Sequence, residues 1–269
     1  MPITPDTPLF DYKQRVAKRF DRASHSYDAY AHFQKKVLGR LVGLLPVEKA
    51  SSIVDLGAGT GKALNVLSEK LNPDHCVVLD LSCQMLAVAR TKAPKTLNAT
   101  YVCADAEALP FANESFDLIF SSLAIQWCLT PEALFKELNR VVKPGGYVVF
   151  STLSQNSMPE IRRAWQGLDD DEHHHHYIAH DSLLAVISQC GFTASYSELT
   201  NMVMWFDSPE DAIYSLKKVG ASFISPSPRG AVSASKWRAF LDQYEHQRGE
   251  CGIPLSYQVA FVVMQKPLE

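Results

Sequence analysis

Three glycines fall within nine residues, Asp55–Ala63 (DLGAGTGKA), directly after the apolar run Ser52-Ile53-Val54. A strand that passes through Gly57, Gly59 and Gly61 into a helix lets a ligand lie against bare backbone, because glycine has no Cβ and adopts positive φ freely. Two phosphate-binding patterns can be tested by counting. The dinucleotide pattern G-x-G-x-x-G, started at Gly57, needs a glycine where Lys62 stands. The triphosphate pattern G-x-x-x-x-G-K-[ST], counted back from Gly61-Lys62, needs a glycine where Leu56 stands, and Ala63 replaces the magnesium-binding hydroxyl. What remains is G-x-G-x-G behind an acid. A carboxylate in the loop repels pyrophosphate and suits a cation. S-adenosylmethionine has an ammonium and a sulfonium and no phosphate, so Asp55, Gly57, Ala58, Gly59 and Gly61 are assigned to that cofactor.

Two more acids fall at regular intervals. Asp80, followed by Leu81, closes the second apolar run (CVVLDL), 25 residues after Asp55. A carboxylate there can accept hydrogen bonds from both ribose hydroxyls. Asp105 follows the third run (ATYVCAD), where it can meet an adenine amino group with the Ala106 backbone beside it. Ser121, the penultimate residue of FDLIFSS, completes the expected cofactor set. Each acid alone suits a helix cap or a solvated turn equally well. Together they mark one crevice at the carboxyl edge of a sheet, where open α/β sheets bind ligands.

The elements that must position these residues are legible in the hydrophobic pattern. Helices are predicted over 11–22 and 28–45, the second ended by Pro46. Strands SSIVDL, CVVLDL, ATYVCAD, FDLIFSS and YVVFSTL then alternate with helices over about 61–71, QMLAVARTK and PEALFKELNRVV, with KPGG as the stop and turn of the last. Such alternation predicts a parallel sheet with helices on both faces. After residue 153 the pattern changes to helices MPEIRRAWQGL, DSLLAVISQCG, SPEDAIYSLKKVG and SASKWRAFLDQYEHQR, a long strand ASYSELTNMVMWF and a closing strand LSYQVAFVVMQ.

Composition limits the classes. Of 269 residues, 46% are hydrophobic and 20% charged, ordinary for a globular protein. No run approaches the roughly 18 apolar residues of a membrane helix, and MPITPDTPLF lacks a secretory signal's basic start. The expected setting is cytoplasmic, without a membrane. A net charge of −3 gives no global case for nucleic acid. The six cysteines show no C-x-x-C pair or zinc spacing and are expected to be buried, reduced thiols. DDDEHHHH, at 169–176, invites a metal. Adjacent histidines do not face one another on a helix, and no other ligand spacing supports it, so a polar surface loop and no metal are expected.

The motifs VDLGAGTGKA, LDLSCQMLAVAR, CADAEALPF, FDLIFSSLAIQWC and ELNRVVKPGGYVVF resemble the class I S-adenosylmethionine-dependent methyltransferases over roughly 50–155. The flanks resemble one family more closely, the malonyl-[acyl-carrier protein] O-methyltransferases of biotin synthesis. FDRASHSYDAYAHFQ, SLAIQWC, MPEIRRAWQGLD, LKKVGA and GIPLSYQV carry that likeness across about 18–264. Where the family has an H-x-N-R-F-like block, this chain reads His173–Tyr177 (HHHHY).

The resemblance implies an α/β fold with a seven-stranded, mostly parallel sheet whose last strand is antiparallel. It implies an N-terminal helical lid over 11–45, a cofactor core over 50–155, a helical cap with the sixth strand inserted over 156–250, and a closing strand at 255–264. It further implies methyl transfer to the free carboxylate of a malonyl thioester on an acidic acyl-carrier protein, the malonyl group borne by phosphopantetheine, or on malonyl-CoA. That carboxylate is ionised near neutral pH, so no general base is required. Tyr27 is then expected to close over the crevice and position the reacting groups, its ring attracted to the sulfonium. Gln34, Gln126 and Trp127 are expected at the substrate, with Arg162 orienting its carboxylate. Lys35, Lys36, Arg40, Lys217, Lys218, Arg229, Lys236 and Arg238 are candidates for a carrier-docking face. The residues alone leave open a methyltransferase of a small acid or quinone precursor, and a non-catalytic S-adenosylmethionine-binding protein. A nicotinamide dehydrogenase is disfavoured by Lys62.

Overall fold

The computed structural model describes residues 8–168, 173, 175–222 and 232–268. Arg229 and positions 169–172 and 174 of the acid–histidine run lie outside the described residues. Helices α1 (Pro8–Ala23), α2 (Tyr27–Tyr30) and α3 (His32–Val42) come first. The helix predicted over 28–45 is therefore broken at Ala31, whose ψ of 41° leaves the helical region. The chain then runs β1 (Ser52–Leu56), α4 (Leu64–Leu71), β2 (His75–Asp80), α5 (Cys83–Lys92), β3 (Ala99–Cys103), β4 (Phe116–Ser122), α6 (Pro131–Val141) and β5 (Val142–Leu153). After these come α7 (Pro159–Trp165), α8 (His180–Gln189), β6 (Thr193–Phe206), α9 (Pro209–Lys218), α10 (Ala234–Glu245) and β7 (Ile253–Gln265). The segment KPGG, expected as a turn, lies inside β5, where the pairing with β4 shifts register between Phe116 and Leu118.

One seven-stranded sheet results, in the order β3-β2-β1-β4-β5-β7-β6. The first five strands are parallel, and β7 lies antiparallel between β5 and β6. Alternate strand residues feed two separate cores. Ile53, Val78, Leu118, Phe120, Val149 and Phe261 face α3, α4, α7, α9 and α10. Val54, Leu56, Val77, Leu79, Ile119, Val148 and Phe150 face α6 and α8. Each such side chain contributes about 1.5–3 kcal/mol on burial, so both faces oppose any one-residue slip of register. The helices between 156 and 250 thus divide: α7, α9 and α10 join the core beside α3, whereas α8 covers the opposite face.

The cysteines depart from expectation. Cys83 and Cys103 form a disulfide, with Cα atoms 5.6 Å apart, and both are exposed. Parallel pairing sets Asp80 opposite Cys103, so Cys83, opening α5, returns over the end of β3. Of the four free thiols only Cys76 is buried, and Cys251 is exposed.

Candidate active site

An open cleft of about 690 Å³, its mouth included, lies at the carboxyl ends of β1, β2, β3 and β4. Gly57, Gly59, Asp80, Leu81, Asp105 and Ala106 line it together. The glycine turn is held by its own backbone. The N–H groups of Gly57 and Ala58 both donate to the Leu79 carbonyl, at 2.7 and 2.9 Å, fixing the turn on the end of β2. Gly57 has φ +72°, and a Cβ there would stand 2.1 Å from the Ala124 Cβ, so no larger residue fits.

Asp80 accepts from the Gly59 N–H at 2.8 Å and the Ser82 N–H at 2.7 Å. Burial pushes its carboxyl up to about 6, opposed by those donors. Asp55 is only 2% exposed, and burial, then the charge of Asp80, pushes it up to about 7. Its Oδ2 has no hydrogen-bond partner. In β1 it shares the face of Ile53, so it enters an adjoining pocket with Ala58, Lys35 and Leu38 rather than the main cleft. Gly57, Gly59, Tyr27 and Ser122 line both spaces. A buried carboxylate oxygen without a donor beside a glycine cradle fits a cationic ligand.

The N-terminal segment forms the outer wall. Lys13, Val16 and Phe20 of α1 and Tyr27 of α2 face the cleft. Lys13 Nζ donates to Asp105 Oδ1 at 2.8 Å and also to Glu107. Burial weighs against its charge, but Cys128, Glu107 and Asp105 around it together more than offset this and hold its pKa above the ordinary value. Two further latches pin the segment. Ser82 Oγ, the N-cap of α5, donates to Asp21. Asp28 receives Thr60 Oγ1 at 2.6 Å, pairs with Lys92, and lies 3.5 Å from Lys62 Nζ.

Next to the main cleft lies an aromatic cavity of about 450 Å³. Tyr27, Phe20, Leu123 and Trp127 line both. Phe33 and Tyr257 stack in its wall with centroids 3.9 Å apart. Tyr27, Gln34, Gln126, Tyr177 and Tyr257 are among its polar side chains, and burial pushes all three tyrosine hydroxyls upward. The Gln126 amide is held by the Leu123 carbonyl at 2.7 Å and Thr152 Oγ1 at 3.4 Å. His175 meets the Trp127 ring edge to face at 5.0 Å, and His173 stacks on Trp165 at 3.7 Å.

Three expected site residues lie elsewhere. Arg162 is exposed and lines neither space, because α7 buries Glu160, Ile161, Ala164 and Trp165 and turns Arg162 to solvent. Ser121 is fully buried, its hydroxyl donating to the Leu56 carbonyl at 2.8 Å, and Ser122 lines the cleft instead. Gly61 packs: a Cβ there would stand 3.0 Å from Ala89 Cβ and Leu64 Cδ1. No lysine, arginine or histidine among the described residues lines the aromatic cavity. No group of three or more histidine, cysteine or acidic side chains among the described residues could hold a metal.

Comparison with known proteins bears on this geometry. Residues 54–150 match the model of a methyltransferase domain. The chain is 62% identical over 267 residues to the malonyl-[acyl-carrier protein] O-methyltransferase of Marinomonas sp. (strain MWYL1), covering 99% of each. It is 33% identical to the protein of that name from Hahella chejuensis, covering 94% of this chain and 91% of the other. A match at 36% identity spans half of the biotin biosynthesis bifunctional protein BioHC of Cellvibrio japonicus and 95% of this chain. Among solved structures, the YcgJ protein of a Bacillus superposes with TM-score 0.62 at 19% identity, covering 87% of this chain and 99% of that one. The Haemonchus contortus phosphoethanolamine N-methyltransferase 2 does so with TM-score 0.57 at 20% identity, covering 92% of this chain and 57% of that one. These two share the fold.

Proposed function

Because the chain belongs to the malonyl-[acyl-carrier protein] O-methyltransferase family, we propose that it transfers a methyl group from S-adenosylmethionine to the free carboxylate of a malonyl thioester borne by an acyl-carrier protein. The product is a methyl ester, whose masked charge suits apolar chain-extending enzymes and a place in biotin synthesis.

The observation that carries this reading is the position of Tyr27. It lines the cleft of Asp80 and Asp105, the pocket of Asp55 and the aromatic cavity at once. Bound S-adenosylmethionine supplies an electrophilic methyl carbon on a positively charged sulfur. Asp80 would hold ribose hydroxyls, Asp105 and the Ala106 backbone the adenine, and Asp55 the cationic end, with Gly57 and Gly59 admitting it against the backbone. The aromatic cavity would take the malonyl group, with the amides of Gln34 and Gln126 orienting its carboxylate in place of Arg162. A carboxylate needs no proton removed. Neutral donors also leave the nucleophile reactive, where a bidentate arginine would stabilise its ground state. Phe20, Phe33, Trp127 and Tyr257 exclude water, and Tyr27 sets the line of approach.

Titration with S-adenosylmethionine, followed by assay of S-adenosylhomocysteine release with malonyl carrier protein, malonyl-CoA and free malonate, tests the reading. Turnover of the carrier substrate is expected. Cofactor binding without turnover of any malonyl thioester would overturn it.

A further inference from the structure

Beyond the stacked Phe33–Tyr257 pair lies an outer cavity of about 650 Å³. It shares Phe33, Gln34, Leu216, Val219 and Tyr257 with the aromatic cavity. Its other side chains are Met204 and Phe206 of β6, Asp211, Tyr214 and Ser215 of α9, Tyr30 of α2 and His32 of α3. Tyr30 and Tyr214, both substantially exposed, meet edge to face at its rim with centroids 5.8 Å apart.

Two ammonium groups stand at this rim. Lys218 Nζ lies 4.9 Å from the Tyr214 ring centroid and 5.4 Å from that of Tyr30. Lys36 Nζ lies 3.8 Å from Met204 Sδ. Neither has a carboxylate partner among the described residues. Their neighbours do: Arg40, one turn along α3, is held by Glu198, and Lys62 and Lys92 by Asp28. Two ammonium groups without a carboxylate partner, Lys218 over aromatic rings and Lys36 beside the Met204 sulfur, outside a largely apolar channel fit a long ligand that is anionic at its outer end.

We propose that the outer cavity is the inlet for the phosphopantetheine arm of the carrier-bound substrate. Lys36 and Lys218 hold its phosphodiester. The arm passes between Tyr30 and Tyr214, and the shared wall of Phe33, Gln34 and Tyr257 admits the malonyl end to the aromatic cavity. The charge of the two lysines also suits the acidic surface around the arm's attachment point on the carrier. This inference rests on the carrier reading above and adds the route and the phosphate-binding residues.

The test compares wild type, the double variant Lys36→Ala/Lys218→Ala, its Lys→Arg counterpart, and Lys143→Ala as a distant charge control paired with Asp117. Substrates are malonyl carrier protein, malonyl-CoA, and malonyl-pantetheine, which lacks the phosphate. The alanine pair is expected to raise KM for the carrier substrate at least tenfold with kcat within twofold. It should raise KM for malonyl-pantetheine less than twofold. The arginine pair should restore KM, and Lys143→Ala should leave it unaltered. Malonyl-CoA affected as strongly as the carrier would place the effect on the arm itself, and a smaller effect would place part of it on the carrier surface; both support the inlet. An unaltered KM for the carrier substrate, or an equal loss with malonyl-pantetheine, overturns it while leaving the function standing. Wild type inactive on all three thioesters overturns the function and the inlet with it.

Discussion

Lys13 Nζ lies 2.8 Å from Asp105 Oδ1, which ties the N-terminal helix to the strand end where an adenine ring is expected. The same ammonium meets Glu107, whose carboxylate also receives the N–H groups of Leu129 at 3.2 Å and Thr130 at 2.6 Å. One buried cation therefore joins the first helix to the loops after the third and fourth strands. Replacing it leaves two acids facing each other without a counterion. Lys13→Met is expected to cost about 3 kcal/mol of stability and to weaken S-adenosylmethionine binding about tenfold. Denaturant unfolding and calorimetry measure the two. Adding Glu107→Gln should recover part of the stability if the cost is an unpaired charge; a double variant no better than the single would refute that cause.

The state of Asp55 gives a pH dependence with a definite sign. Its folded-state pKa, about 7, lies above the ordinary carboxylate value. Between about pH 4 and pH 7 the fold therefore holds a proton that the unfolded chain has released. Stability of the cofactor-free chain should fall as pH rises through that window and level off above it, by on the order of 4 kcal/mol from this group. A cationic ligand favours the ionised form, so its affinity should rise from pH 6 to 8 and its binding should expel a proton. Urea midpoints across pH and calorimetry in buffers of different ionisation heat read both effects. Asp55→Asn should flatten both curves; a wild-type stability that climbs from pH 5 to 7 would contradict the assignment.

Tyr27 separates positioning from binding. Tyr27→Phe keeps the ring shared by three cavities and removes the hydroxyl, so kcat should fall a few-fold and cofactor affinity should hold. Tyr27→Ala opens the cavities into one another and should lower kcat about a hundredfold, consistent with the sensitivity of such reactions to misplacement. Circular dichroism would confirm that both variants fold. Unchanged kinetics in both would remove Tyr27 from the site.

The glycine turn and the acids were legible because they sit at strand ends, and apolar runs mark strand ends directly. Facing was harder. Asp55 enters the neighbouring pocket because strand residues alternate, and Ser121 and Ser122 exchange roles for the same reason. Arg162 could have been set aside from sequence, since Ile161, Ala164 and Trp165 already mark the inward stripe of its helix. Lys13 left no local signal. It lies 92 residues from Asp105 in the chain, and only the packing of α1 across the sheet end brings them together. The inner face of the aromatic cavity was equally hidden: Tyr177 and Tyr257 come from distant segments and read locally as ordinary core aromatics.

The disulfide carries the last prediction. Cys83 lies three residues past Asp80, and Cys103 two residues before Asp105, so the bond clamps together the two loops that carry these acids. Its sequence separation of 20 residues corresponds to about 3 kcal/mol of loop-closure stabilisation. Reduction with a dithiol, or Cys83→Ser, should therefore lower the unfolding free energy by about that amount. The β2–β3 register and the Asp80 hydrogen bonds from Gly59 and Ser82 do not pass through the sulfur atoms. Those contacts hold both acids in place once the bond is broken. Cofactor affinity should consequently change less than threefold, in contrast to Lys13→Met, which strips Asp105 of its counterion. Mass spectrometry of alkylated protein establishes the bond, and calorimetry of oxidised and reduced samples measures the affinities. A tenfold loss of affinity on reduction would show that the clamp, rather than the strand register, positions the two carboxylates.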